Sequence, residues 1–360
     1  MGFKESILKA GSDPYFIAEI GINHNGVFEL AQRMIDVSKE SGADAVKFQK
    51  RNLEALVMQG VEIETPTGYL SIDENDLPTE DKAFGTWTYP DKRLEFTDKQ
   101  VLDLWKYAES KGLDFIVSPW EERSVDFLAD NGAKVIKLAS IDVANYQFCE
   151  YIAKKGIPVL ISTGMSHWQQ LETTYRIFKD ADCPMMFLHC TSAYPSPIED
   201  KHLKCLPIMR DMFEMDVGFS GHRIGCEGTL GAVALGARVI EKHVTLSREM
   251  SGPDQAASLE FSEFKALVEQ SGNMVRAMGN GRKDFLPSEK VLHGVLAKRI
   301  VTATSIKKGA AIAPNMIRTM VAKQEGGLLP DKYYCVLKAT TVRDLPENHV
   351  LEIGDLVIGS

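Results

Sequence analysis

A chain of 360 residues has room for one large domain, or a large domain with a small companion. Its 44% hydrophobic and 25% charged residues are ordinary for a soluble globular protein, and a net charge of -9 excludes a broad basic face for nucleic acid. The opening MGFKESILKAGSDP lacks the apolar core of a secretory signal, and no apolar run reaches the ~18 residues of a membrane span.

In chain order, short apolar, β-branched runs recur at Tyr15–Ile20, Ala43–Phe48, Leu113–Val117 and Lys134–Leu138, then at Ile157–Ile161, Met185–His189, Asp216–Phe219 and Arg238–His243. Helix-period stretches separate them: Phe28–Ser41, Asp98–Lys111, Glu122–Asn131, Tyr146–Lys155, His167–Lys179, Lys201–Met212, Ile224–Leu235 and Ser262–Met278. Strand–helix alternation makes the strands parallel, because each crossover helix returns the chain to its starting edge. Eight such units predict a closed (β/α)8 TIM barrel over residues 1–280. The alternative, an open doubly wound sheet, lacks the GxGxxG turn of its dinucleotide-binding version.

One connection is too long for a plain loop. Between Asn52 and Glu95 the chain is rich in Pro, Gly, Asp and aromatics, and it follows the second strand, so it reads as a substrate-covering flap. Residues 281–297 read as a linker. The remaining 298–360 form a small β-rich module with a weak internal repeat, Thr304–Ile312 against Thr341–Leu351. The six cysteines form no CxxC pair and read as free thiols in a reducing cytoplasm.

A barrel collects its chemistry at the C-terminal ends of its strands, and polar residues stand there on all eight. Lys47 and Lys137 point toward one cavity among the hydroxyls of Ser118, Ser140, Ser162, Ser192 and Ser220. Two cations with several neutral donors suit a small, doubly anionic ligand. A Schiff-base role for a buried lysine is the other functional option. His222 and His243 end neighbouring strands, within reach of one divalent metal whose open positions go to water and substrate. Glu19 is a candidate general base, and Glu241 tunes a histidine or a water.

The motifs AEIGINHNG, ADAVKFQK, KRLEF, IKLAS, ISTGM, CTSAYP, GFSGH, EKHVTL and GPDQAASLE, in that order, resemble those of the N-acetylneuraminate (sialic acid) synthase family. The resemblance extends to the C-terminal module, which looks like that family's antifreeze-like (SAF) domain. It implies a phosphoenolpyruvate site at Lys47, Ser118, Lys137, Ser140, Ser162, Ser192 and Ser220. It implies Mn2+, with Mg2+ or Co2+ as alternatives, at His222 and His243, and an N-acylated amino sugar facing Gln49, Asp142, Tyr194 and Asp254. A domain-swapped homodimer follows from the same resemblance, with Lys323 standing where many bacterial members carry an Arg toward the partner's sugar.

The reaction implied is condensation of phosphoenolpyruvate with N-acetylmannosamine or its 6-phosphate, forming a C–C bond, cleaving a C–O bond and releasing phosphate. Asp142 and Ser192 match the animal-type pattern, which uses the phosphorylated sugar; Lys82, Lys92 and Arg93 are candidates for holding that phosphate. The alternatives are a legionaminic- or pseudaminic-type acid synthase using a diacetamido sugar, a Schiff-base aldolase at Lys137, and a carbohydrate-binding module on a barrel scaffold.

Overall fold

The computed structural model describes residues 13–58, 63–65, 87–89, 92–250, 252–322 and 326–358. They fall into two compact units, divided between Gly279 and Asn280.

The first unit is a closed parallel barrel. Its strands are β1 (Tyr15–Gly21), β2 (Ala45–Lys50), β3 (Asp114–Pro119), β4 (Ile136–Leu138), β5 (Val159–Ser162), β6 (Met185–Cys190), β7 (Gly218–Gly221) and β8 (Val239–Thr245). They pair in sequence order, and β8 returns to β1 from Tyr15↔Val239 to Glu19↔His243, which leaves no edge. The helices are α1 (Phe28–Glu40), α2 (Asp98–Ser110), α3 (Glu122–Asp130), α4 (Tyr146–Ala153), α5 (Trp168–Asp180), α6 (Cys205–Phe213), α7 (Glu227–Ala234) and α8 (Phe261–Met278). This is the TIM barrel that the alternating pattern predicts, with boundaries shifted by a few residues where helix ends fray.

Strand periodicity builds the site. Side chains alternate across a strand, so one set faces the helices and the other the barrel interior. Phe16, Ala18, Val46, Phe48, Phe115 and Val117 join the helix-facing core, where Phe48 stacks on Phe115 at 5.1 Å and Phe115 on Trp105 of α2 at 5.6 Å. Tyr15, Ile17, Ala45, Ile116, Leu160, Leu188 and Val239 form a separate interior cluster. Continuing each interior row by two residues along the chain gives Glu19, Lys47, Ser118, Ser162, Cys190 and Glu241. The interior is therefore an apolar plug beneath a polar mouth.

The long connection after β2 is described only in part. Leu53–Leu56 is a single helical turn capped by Asn52, whose side chain accepts from Glu54 N at 3.2 Å. Ile63–Thr65 pairs antiparallel with Trp87–Tyr89. Most of the predicted flap, Lys82 included, lies outside the described residues.

In the second unit, residues 287–296 are helical: a 3-10 turn at Pro287–Glu289 runs into α9 (Lys290–Leu296), whose Val291 and Val295 are exposed. Beyond it, β9 (Lys298–Thr302) pairs antiparallel with β10 (Ile317–Val321), and β11 (Ala339–Thr341) with β12 (Leu356–Ile358). The halves are related by a pseudo-two-fold. Ile306 and Leu345 exchange both backbone hydrogen bonds at 2.8 Å. Thr302 Oγ1 donates to Pro346 O at 2.6 Å as Thr341 Oγ1 donates to Lys307 O at 2.7 Å. Gly309 and Asn348 take the matching left-handed position, with φ of 80° and 62°. The equivalence pairs Thr302 with Thr341, so the sequence repeat anchored at Thr304 is out of register.

Candidate active site

A cavity of about 610 Å³ opens at the C-terminal mouth of the barrel. Of the residues singled out from the sequence, it brings together Glu19, Lys47 and Gln49 from β1 and β2, Ser118 from β3, and Lys137 with Ser140 from β4 and its turn. Ser162 follows from β5, Ser192 and Tyr194 from the β6 loop, Ser220 and His222 from β7, and Glu241 with His243 from β8.

The charges lie close. Lys47 Nζ is 2.9 Å from Glu19 Oε2 and 3.6 Å from Glu241 Oε1, and donates to Ser118 Oγ at 3.1 Å. Lys137 Nζ lies 4.0 Å from Glu241 Oε1 and donates to Leu138 O at 3.0 Å. Ser220 Oγ donates to the same Glu241 oxygen at 3.0 Å. Burial pushes Glu19 up to about 7, with the Lys47 ammonium opposing and Glu241 adding to the rise. Burial also lowers Lys137, helped by repulsion from Lys47, while Lys47 stays above its ordinary value because its two carboxylates outweigh its burial. Two ammonium groups compressed in one low-dielectric space favour an arriving anion.

The imidazoles are set by their neighbours. His222 Nδ1 lies 3.0 Å from Thr191 O, which assigns the proton to that nitrogen and leaves Nε2 to the Tyr194 hydroxyl at 3.0 Å. Its ring centroid is 5.4 Å from that of His243. His243 Nδ1 is buried without a hydrogen-bond partner, 3.9 Å from Asp254 Oδ2, and burial holds the ring well below its ordinary range. Cys190 Sγ lies 3.6 Å from His222 Nδ1; burial would raise the thiol, but the imidazole and nearby hydroxyls bring it down to about 6. Among the described residues no group of three or more His, Cys, Asp and Glu side chains is arranged to hold a metal.

Gly164 shows how tightly the wall is built. Its N–H donates to Ser140 Oγ at 3.1 Å, and a Cβ there would collide with the hydroxyls of Ser192 and Ser140.

Not every predicted residue joins the cavity wall. Asp142 caps its own turn, accepting from Asn145 Nδ2 at 3.0 Å. Asp254 Oδ2 lies 3.9 Å from His243 Nδ1 without lining the cavity. Lys92 is exposed, 4.0 Å from Glu54, and lines a separate cavity of about 340 Å³ with Arg51 and Arg123, while Arg93 lines neither cavity. Lys323 lies outside the described residues. Sequence reasoning passed over Trp120, Ala139, Ile141 and Met165, which complete the mouth. Trp120 was legible by parity, two positions beyond Ser118 on the same strand row.

A buried bed of cations and hydroxyls, flanked by two histidines at the C-terminal mouth of a closed barrel, is the site of a (β/α)8 enzyme, with a chemistry suited to a small anion. Residues 34–283 match the NeuB family, and the chain belongs to that family of enzymes. It is 35% identical over 345 residues to the N-acetylneuraminate-9-phosphate synthase of Homo sapiens, covering 95% of this chain and 93% of that protein. It is also 35% identical over 309 residues to the N,N'-diacetyllegionaminic acid synthase of Campylobacter jejuni, covering 84% of this chain and 89% of that protein. The solved N-acetylneuraminic acid (sialic acid) synthetase of Leptospira borgpetersenii, in complex with citrate, matches with a TM-score of 0.66 at 31% identity, covering 78% of this chain and 91% of that chain. No described helix is long and apolar enough to cross a membrane, and all six cysteines are free.

Proposed function

We propose that the chain condenses phosphoenolpyruvate with N-acetylmannosamine or its 6-phosphate to give a nine-carbon 2-keto sugar acid. The observation that carries this reading is the convergence of two buried ammonium groups, five serine hydroxyls and two imidazoles on one cavity. Lys47 and Lys137 hold the carboxylate and phosphate of phosphoenolpyruvate. Ser162 Oγ, buried without a partner, is a hydroxyl free to join them.

C3 of phosphoenolpyruvate attacks the open-chain aldehyde carbon of the sugar, whose oxygen takes a proton. Water adds at C2, and the C2–O bond breaks to release inorganic phosphate. Glu19, ionised above about pH 7, takes the proton of that water. Orientation and fixed charge supply most of the acceleration.

His222 and His243 fit a divalent ion, Mn2+ by preference, because Nδ1 of His243 is a buried orphan and Nε2 of His222 carries a lone pair that would exchange its Tyr194 hydroxyl for the ion. Such an ion would polarise the aldehyde carbonyl. With only two nitrogen donors from these residues, the remaining positions fall to water and substrate oxygens.

The pseudo-two-fold β unit is read as an antifreeze-like domain, and the exposed valines of α9 support a homodimer. A diacetamido acceptor is the second reading, favoured by the equal identity to a legionaminic acid synthase. The test is phosphate release from phosphoenolpyruvate with N-acetylmannosamine, its 6-phosphate and a diacetamido sugar, each with and without EDTA. Manganese-dependent release with either mannosamine supports the first reading; release with the diacetamido sugar alone supports the second. No release with any acceptor from folded, metal-loaded protein sinks both.

A further inference from the structure

The cavity is divided by chemistry. The floor is polar all round: His222, His243 and Glu19 stand at β7–β8–β1, Lys47 on β2, and Ser118, Lys137 and Ser162 on β3, β4 and β5. Beyond the strand ends the rim above β3–β4–β5 is an apolar arc over this floor: Trp120 follows β3, Ile141 follows β4 and Met165 follows β5. Ile141 and Met165 are 57% and 62% exposed, and Met165 holds a left-handed backbone with φ of 56°, a strained conformation of the kind that collects at functional sites.

Within this arc one polar atom has nothing to bond. Trp120 Nε1 is buried and has no hydrogen-bond partner. An indole N–H only donates, and leaving it unpaired in a dry site is unfavourable, so the position is complete only when a ligand brings an acceptor. Arg51 is paired outside the arc. Its guanidinium lies 5.6 Å from the Trp120 ring centroid, bonds Glu95 Oε1 at 2.5 and 2.7 Å, and lines the neighbouring cavity.

We propose that Trp120 reads the N-acyl group of the acceptor sugar: its N–H donates to the amide carbonyl oxygen while Ile141 and Met165 flank the acyl carbons. A phosphate or carboxylate would need the cations Lys47 and Lys137, which are buried in the floor rather than at this rim. A hydroxyl would also need an acceptor for its own proton, and neither an indole nor the aliphatic side chains of this arc accepts one. A neutral carbonyl with a methyl beside it suits one neutral donor and an apolar wall. Trp120 lies outside every motif that carries the family resemblance. The inference rests on the synthase reading above.

Trp120→Phe keeps an aromatic plane and deletes the donor. KM for N-acetylmannosamine should rise about tenfold, the size of one neutral hydrogen bond, with KM for phosphoenolpyruvate unchanged. D-mannose, which lacks the acyl group, should react or bind equally with both proteins. An equal loss for both sugars, or no loss for either, overturns the proposal. Calorimetric titration of the unsubstituted protein with the two sugars needs neither turnover nor a variant: binding N-acetylmannosamine no better than mannose also overturns it. Phosphate release by the unsubstituted protein tests the synthase reading separately, so the two failures are distinguishable.

Discussion

In the C-terminal unit the buried charge is fully bonded, whereas the barrel mouth keeps buried polar atoms without partners. Asp355 accepts from Arg343 at 2.7 and 2.8 Å, lies 2.7 Å from His349 Nε2, and takes the N–H of Glu352 at 3.0 Å. Thr302 and Thr341 close their turns by equivalent bonds. In the barrel, Trp120 Nε1, Ser162 Oγ, Glu241 Oε2 and His243 Nδ1 are buried and unbonded, and all four belong to residues of one cavity. Polar groups buried for architecture satisfy one another; groups buried for chemistry wait for a substrate. The small unit is held by its own symmetry, and the barrel mouth is held open at a cost to stability.

Substitutions should separate these two uses. The largest effect is expected at Lys137→Met: kcat/KM for phosphoenolpyruvate falls about 10²- to 10³-fold, as when one partner of a desolvated charge contact is lost. Burial disfavours the Lys137 charge while Glu241 loses one of its two cations, so the two effects oppose and urea unfolding should show a smaller loss than for Lys47→Met. An equal loss of stability would make Lys137 structural and erase the contrast. Lys47→Met should do both, destabilising by about 3–5 kcal/mol because Glu19 and Glu241 lose their nearest cation. Adding Glu19→Gln to it should recover most of that loss in the same titration.

Asp355→Asn, in the other unit, should lower stability by about 1–3 kcal/mol with no effect on KM for phosphoenolpyruvate. Hydrogen exchange confined to residues 298–358 is the readout. Gly309→Ala tests the symmetry alone. Nothing lies within 4 Å of the added Cβ, so only the left-handed φ of 80° opposes it, at about 1–2 kcal/mol. A neutral result would mean that this turn relaxes independently of its Asn348 counterpart.

The pH dependence sharpens the comparison further. Glu19 is raised from 4.5 to about 7 chiefly by burial, so between those values the folded chain binds more protons than the unfolded one. Its contribution to stability is therefore greatest at low pH and is lost as pH rises through about 7. Activity should move oppositely, kcat/KM rising along an acid limb near pH 7 as the carboxylate becomes available. Glu19→Gln should flatten this part of the stability profile and remove the limb.

Much of this was legible in the residues. Alternation in Tyr15–Gly21 and Ala45–Lys50 already placed Glu19 and Lys47 on the row of Ile17 and Ala45, and the repeated strand–helix pattern implied the barrel. The same parity named Ser118, Ser162, Ser220, His222 and His243, because strand position decides which face a side chain takes, while Ser140 reaches the mouth from a 3-10 turn. Asp142 lies off the cavity wall because its carboxylate answers to its own turn, where Asn145 donates to it.

By itself, then, the sequence determined the barrel and the chemical types at its mouth, since both follow from local periodicity along single strands. Tertiary structure decided what depends on residues far apart in the chain: closure of β8 on β1, the meeting of Tyr194 with His222, and the unanswered donor of Trp120. It also decided the protonation of Glu19, because desolvation and two opposed charges act only once three strands converge.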